Sequence, residues 1–148
     1  MKLEQPTNDY IISTDKSLLQ INIIHGFLRN AYWCEGIPID IVERAIKNSL
    51  CFGVYKDSAQ VGFARVVSDY ATFAYLADVF ILEEHRGQGL SKRLMEAIMS
   101  HPDLQGLRRW SLATRDAHEL YRKFGFEPLK NPQNLMEITR PGLYLRKQ

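Results

Sequence analysis

Two cysteines, Cys34 and Cys51, are all the chain carries. They are too few for a disulfide framework, and no Cys/His group has the spacing of zinc ligands, so no metal is expected. The formal net charge is only +2, and neither a basic stripe interleaved with aromatics nor a groove-reading helix stands out, which argues against nucleic acid. Solvated faces and a small phosphorylated ligand account for Arg86, Lys92, Arg93, Arg108, Arg109 and Arg115. Long hydrophobic runs are missing too: no stretch approaches the roughly 20 apolar residues of a membrane span, and the opening MKLEQPTNDY has no apolar signal core. These absences favour a reduced, cytoplasmic protein with no membrane partner. With no repeat, low-complexity tract or linker, the 148 residues read as one domain, 1–148, able to bury about two-thirds of its unfolded surface.

What is present concentrates between Phe73 and Ser100. Phe73 to Leu82 is an almost unbroken run of aromatic, branched and small apolar residues, the pattern of a central strand covered on both faces. After it, Arg86, Gly87, Gln88 and Gly89 precede a helical pattern with Leu90, Leu94, Ala97 and Ile98 on one face and Lys92, Arg93 and Glu96 outward. A helix start has unpaired amides and partial positive charge, and glycines let a phosphate come close to them. A phosphorylated ligand is implied. Neither common phosphate loop fits, because Lys92 stands where the P-loop requires its second glycine and where the dinucleotide fingerprint requires its third.

Elsewhere the periodicity predicts a strand at Tyr10–Ser13, then a helix capped by Asp15 with Leu18, Ile21, Ile24, Phe27 and Leu28 inward. A link, Ala31–Pro38, leads to a helix burying Val42, Ala45 and Ile46. Leu50–Tyr55 and Gln60–Val67 form a hairpin across Lys56-Asp57-Ser58-Ala59, and Ser68–Ala71 turns into the central strand, with Asp69 as turn former or substrate contact. A strand over Leu107–Ala113 follows Pro102, and Asp116 and Glu119 have capping-box spacing ahead of a short helix ending near Gly125. Leu135–Thr139, with Leu143–Leu145, is expected to close the sheet.

The segment Arg86-x-x-Gly89-x-Ser91, directly after a strand, resembles the acetyl-CoA motif Q/R-x-x-G-x-G/A of the GNAT superfamily of N-acetyltransferases, with serine at the last small position. Ala117 to Phe126, AHELYRKFGF, is similar to the family segment in which a helical tyrosine precedes a glycine and an aromatic. The resemblance spans roughly Leu50 to Leu129. It implies an α/β (α+β) GNAT fold, a mixed, mostly antiparallel twisted sheet of about six to seven strands with about four helices, splayed at its central strands.

It also implies direct transfer of acetyl from acetyl-CoA to a primary amine of a small molecule or peptide; a non-catalytic acyl-CoA-binding module is the alternative. Under the resemblance, Arg86, Gly87, Gln88, Gly89, Leu90 and Ser91 hold the diphosphate. The main chain of Val79, Phe80 and Ile81 pairs with the pantetheine arm, and Thr114, Asp116 and Ala117 flank it from the other side. Tyr121, four residues before Gly125, matches the general acid that protonates the leaving thiolate. The link between the first two helices lines the family's acceptor pocket, which brings in Tyr32, Trp33 and Glu35; packing and solvation are their alternatives. The strand glutamate that serves several members as base falls on Ala77. Asp78 is adjacent, as base or as structural anchor, and strict alternation sends it to the face opposite Ala77 unless the strand is bulged. Glu35 or water are the other proton acceptors. His25 and His85 are read as packed or solvated, His118 falls in the first turn of the Tyr121 helix within reach of the cofactor mouth, and an exposed closing strand leaves room for a homodimer.

Overall fold

The computed structural model describes residues 9–146. Runs of β-branched and aromatic residues bounded by turn formers give β1 (Tyr10–Ser13), β2 (Leu50–Lys56), β3 (Ala59–Ser68) and β4 (Phe73–Ile81), and β5 (Arg109–Ser111) joins later. They form one sheet in the order β1-β2-β3-β4-β5, antiparallel except for the parallel β4–β5 pair. The helices are α1 (Ile21–Leu28), α2 (Ile39–Lys47), α3 (Leu90–Ser100) and α4 (His118–Arg122). The expected mixed, mostly antiparallel α/β (α+β) architecture is therefore present.

Local chemistry explains the turns. Asp57 and Ser58 both sit at positive φ, 51° and 72°, between the paired Lys56 and Ala59. That is the two-residue hairpin turn whose twist matches its strands. Asp69 accepts hydrogen bonds from the amides of Ala71, Thr72 and Phe73 and from the Thr72 hydroxyl. These donors hold its carboxyl well below the usual carboxylate range.

Helices cover both faces of the sheet. On one face Leu94, Met95 and Ile98 of α3 pack with Phe52, Val54, Ala64, Val66 and Leu76. On the other, Ile24 and Leu28 of α1 and Val42 of α2 pack with Cys51, Phe63 and Phe80. Phe27 stacks on Phe80 with ring centroids 4.0 Å apart. Each large apolar side chain buried in this way contributes roughly 1.5–3 kcal/mol.

Several expectations are corrected. The sheet has five strands among the described residues, not six to seven: Leu135–Thr139 is not a strand, and Leu143–Leu145 is a 3-10 turn. Met136 and Ile138 stand 95% and 83% exposed there, so the alternating pattern found no neighbouring strand to pair with. The strand expected over Leu107–Ala113 shrinks to Arg109–Ser111. The first half of β4 is not covered on both faces, since Phe73 and Tyr75 are exposed. Asp15 caps a 3-10 turn at Lys16–Leu18 rather than α1. The capping box of Asp116 and Glu119 does not form; Ala117 precedes α4, and the Ala117 amide donates to Thr114 Oγ1 instead.

Candidate active site

β4 and β5 share only the pairs Phe73–Arg109, Ala74–Trp110 and Tyr75–Ser111. Beyond Tyr75, β4 runs on to Ile81 with no partner on that side, and a cleft of about 940 Å³ opens between the two strands. Its walls include Leu76 to Ile81 of β4, Arg86 and Ser91 from the following loop, and Leu112 to Thr114, Asp116, Ala117, Leu120 and Tyr121 from the β5–α4 side. Tyr32 and Trp33 close one end.

β4 is also bulged inside the cleft. Phe63 pairs with Phe80 and Arg65 with Ala77, so Ala64 alone faces both Asp78 and Val79. Asp78 takes the extra position at φ 57°, a left-handed conformation that Asp tolerates better than most residues. The insertion changes the side-chain alternation. Ala74 and Leu76 face α3, whereas Phe80, with which they would share parity, packs against α1. Asp78 is turned with it, toward Arg65 and the α1–α2 link rather than toward α3.

The turn after β4 enters α3 through two glycines, and of its residues Arg86 and Ser91 line the cleft. Arg86 folds back so that its Nε donates to the Ile81 carbonyl at 2.8 Å. Gly87 and Gly89 lie at φ 80° and 76°, and a Cβ built on either meets nothing within 4 Å. Gly89 is the N-cap of α3, whose helical ladder begins with Arg93 N donating to Gly89 O. The amides of Leu90, Ser91 and Lys92 therefore have no acceptor inside the helix. Leu90's own side chain is buried in the core, so it offers the site only its main chain. His85 is not merely solvated: its Nδ1 shares a 2.9 Å hydrogen bond with the Tyr10 hydroxyl, which also accepts from Gln88 Nε2 at 3.1 Å. Arg93 reaches the Tyr10 carbonyl at 3.2 Å. β1 thus pins the loop from outside the cleft.

Tyr121 sits on the opposite wall, 8% exposed and edge-on to Phe126. Burial pushes its phenol upward, helped by the negative charge of Asp116 and by Tyr32, so it stays protonated at neutral pH. The Cys34 and Cys51 thiols are pushed up to about 12 and about 11, in both cases chiefly by burial. A thiol held protonated is a poor nucleophile.

At the other end, Trp33 Nε1 donates to Asp78 Oδ1 at 2.8 Å and Arg65 Nε donates to Asp78 Oδ2 at 2.8 Å. Arg65 continues to Ser49 Oγ at 3.1 Å, and Ser49 to the Ala45 carbonyl of α2 at 2.7 Å. Tyr32 packs edge-on to Trp33 at 5.0 Å and lies under the Arg115 guanidinium at 3.6 Å. Glu35 does not line the cleft. It lines a neighbouring cavity of about 520 Å³ with Tyr32, Trp33, Cys34 and residues 140–145. His25 bonds the Ile37 carbonyl at 3.0 Å, and His118 is exposed at the start of α4 and does not line the cleft.

Asn30, Arg65 and Tyr144 also line the cleft and went unremarked in the sequence. Arg65 had a readable signal, a lone cation in an apolar strand as Asp78 is a lone anion in the next. Tyr144, which lines both cavities, had none, because its segment reaches the site through tertiary folding alone.

A family model described as acetyltransferase (GNAT) domain matches residues 47–128. A candidate acetyltransferase of Gibberella zeae is 34% identical over 138 residues, covering 78% of this chain and 77% of that protein. Among solved structures, a candidate GNAT-family acetyltransferase of Xanthomonas campestris pv. campestris superposes with a TM-score of 0.89 at 61% identity, covering 91% of this chain and 96% of the other. A Clostridium acetobutylicum acetyltransferase solved with acetyl-CoA shares the fold, with a TM-score of 0.62 at 12% identity over 88% and 94% of the two chains.

Proposed function

The chain belongs to the GNAT acetyltransferase family, and from that premise we propose that it transfers acetyl from acetyl-CoA directly to a primary amine of a small molecule or peptide. The observation that carries the proposal is the parting of β4 from β5 after three paired residues, with the buried Tyr121 facing the bared strand across the gap. The residues fit the co-substrate: two glycines at positive φ leave open space before the first turn of α3, and β4 past Tyr75 has main-chain groups without a strand partner on the cleft side. When bound, acetyl-CoA supplies an acyl group already activated as a thioester.

In this reading the loop from Arg86 to Ser91 grips the diphosphate through backbone amides, and Val79 to Ile81 receive the pantetheine arm as an added strand. Thr114, Asp116 and Ala117 border it on the far side. An amide of the same stretch of β4 donates to the carbonyl oxygen as charge builds there. Tyr121 holds a proton at its hydroxyl for the departing sulfur. Tyr32 and Trp33 wall the acceptor end, Glu35 draws cationic acceptors toward it from the adjoining cavity, and water carries the ammonium's proton to solvent.

Incubation with acetyl-CoA and a panel of primary amines, reading free thiol with a chromogenic disulfide, tests this. Amine-dependent thiol release is expected. Tight coenzyme A binding without it would favour an acyl-CoA-binding module instead.

A further inference from the structure

Deepening the acetyl-transfer reading, on which it rests, we infer that Asp78 is a positioning residue: its carboxylate ties Trp33, and with it the acceptor wall, to the bulge of β4. Both of its oxygens are already engaged, Oδ1 by the Trp33 indole and Oδ2 by the Arg65 guanidinium, each at 2.8 Å. Accepting a proton from the substrate would set an O–H against one of these donors and break the bracket. The pair is mostly withdrawn from solvent, with side-chain exposures of 12% for Asp78 and 19% for Arg65, so neither partner has bulk water to turn to.

The geometry also gives the bracket something to hold. Trp33 lies in the α1–α2 link, which is shaped by its own backbone turns, such as Gly36 N to Arg29 O and Cys34 N to Ala31 O. Those bonds fold the link, and Cys34 and Ile37 pack it against the core cluster that holds Phe63 and Phe80, but neither gives it a polar tie to the sheet. The indole–carboxylate bond supplies one. Trp33 lines both the cleft and the neighbouring cavity, as do Tyr32, Cys34 and Tyr144, so its placement shapes the wall that the two share. Asp78 is the bulged residue itself, and the stretch that follows it, Val79 to Ile81, is the bared main chain. One carboxylate therefore fixes the acceptor wall relative to the strand on which the acyl group is received. Arg65, bonded onward to Ser49 at the end of α2, holds the carboxylate from behind.

Two variants test the assignment, Trp33→Phe, which removes the indole donor and keeps an aromatic ring, and Asp78→Asn, which tolerates the left-handed backbone. A carboxamide has one oxygen and cannot serve both donors. For each variant the acceptor KM is expected to rise by about tenfold to a hundredfold, the range for one hydrogen bond to a charged group. The coenzyme A dissociation constant, kcat within a few-fold, and the shape of the kcat/KM pH profile should stay as in wild type. The double variant should be no worse than either single one, since both cut the same tether.

A hundredfold fall in kcat for Asp78→Asn with loss of the acidic limb, the acceptor KM unmoved, would make Asp78 the base and overturn the inference. So would an unchanged acceptor KM in Trp33→Phe. The tether also has a readout independent of turnover. In a Trp110→Phe background Trp33 is the remaining tryptophan, and Asp78→Asn should increase its quenching by acrylamide. If wild type releases no thiol with any amine, the enzymatic reading fails; increased quenching then still upholds the tether, and unchanged quenching overturns it.

Discussion

Gly89 and Gly106 form a matched pair for testing the proposed diphosphate grip. Both occupy the left-handed region, at φ 76° and 75°, and a Cβ on either meets nothing within 4 Å. An alanine at either position therefore carries the same backbone penalty, about 1–2 kcal/mol, worth roughly 2–8 °C of Tm in a chain of this size. They differ in location: Gly89 caps α3 beside the cleft, and Gly106 lies in the turn ahead of β5. In the proposed reading, a methyl group on Gly89 crowds the diphosphate where it meets the amides of the first turn of α3. Losing even one charge-assisted bond costs about 1.5–3 kcal/mol, a factor of roughly ten to a hundred or more in dissociation constant. Thermal unfolding with and without coenzyme A reads both effects together. At about 100 times the wild-type dissociation constant, the ligand stabilises wild type and Gly106→Ala by about 2.7 kcal/mol, or roughly 5–10 °C. For Gly89→Ala bound a hundredfold more weakly, the same concentration gives about 0.4 kcal/mol, near 1 °C. A Gly89→Ala protein that keeps the whole ligand shift, or a Gly106→Ala protein that loses it, would refute that grip.

Tyr121→Phe should lower kcat by about 10²- to 10⁴-fold, the usual worth of a general acid, with coenzyme A affinity unchanged by calorimetry. Because burial, Asp116 and Tyr32 raise the Tyr121 pKa, any alkaline decline of kcat that it causes belongs above the ordinary tyrosine range near ~10; a decline centred at neutral pH and lost in the variant would contradict the assignment. Tyr55→Phe addresses stability instead. The Tyr55 hydroxyl is buried without a hydrogen-bond partner among the described residues, so removing it should stabilise the fold by about 1–3 kcal/mol in urea denaturation. Burial, then Asp15 and Cys51, push that phenol from 10.0 up to about 12. Its neutral form is favoured in the folded state, so wild type holds this contribution below pH ~10 and loses it as pH climbs through about 12. The variant should show a shallower alkaline loss, and parallel slopes would count against the reasoning.

The strands and helices that are held by local pattern could be read before the fold was seen. β2 and β3 follow from two largely apolar runs on either side of a polar turn, and α3 from an apolar stripe that starts after Gly89 and stops before Pro102. What local pattern does not encode is whether a partner exists. Leu135–Thr139 has the residue types of a strand, yet β5 ends the sheet and pairs with β4 through three residues only. The residues of 135–139 therefore stay largely exposed and unpaired as a strand. The loop from Arg86 to Ser91 was legible because its glycines act through local backbone geometry, whereas the interposition of Tyr144 between two cavities depends on a segment far away in sequence.

The bulge in β4 shows why the acceptor end was harder to read than the cofactor end. Side-chain direction along a strand has period two, so one inserted residue reverses every assignment beyond it. Strict counting puts Asp78 with Ala74 and Leu76 against α3, where a carboxylate would be desolvated among apolar side chains at a cost of several kcal/mol. The insertion opposite Ala64 turns it to the other face, beside Arg65 and below Trp33. The two lone charges of adjacent apolar strands thus constrain each other: each is expensive alone, and the register that pairs them is one that contains the bulge. That same bulge lies within the stretch of β4 beyond Tyr75 that has no strand partner in the cleft. Pairing Arg65 with Asp78 and turning Phe80 toward α1 are then two consequences of a single extra residue, which gives the sheet a physical reason to keep its strained position at φ 57°.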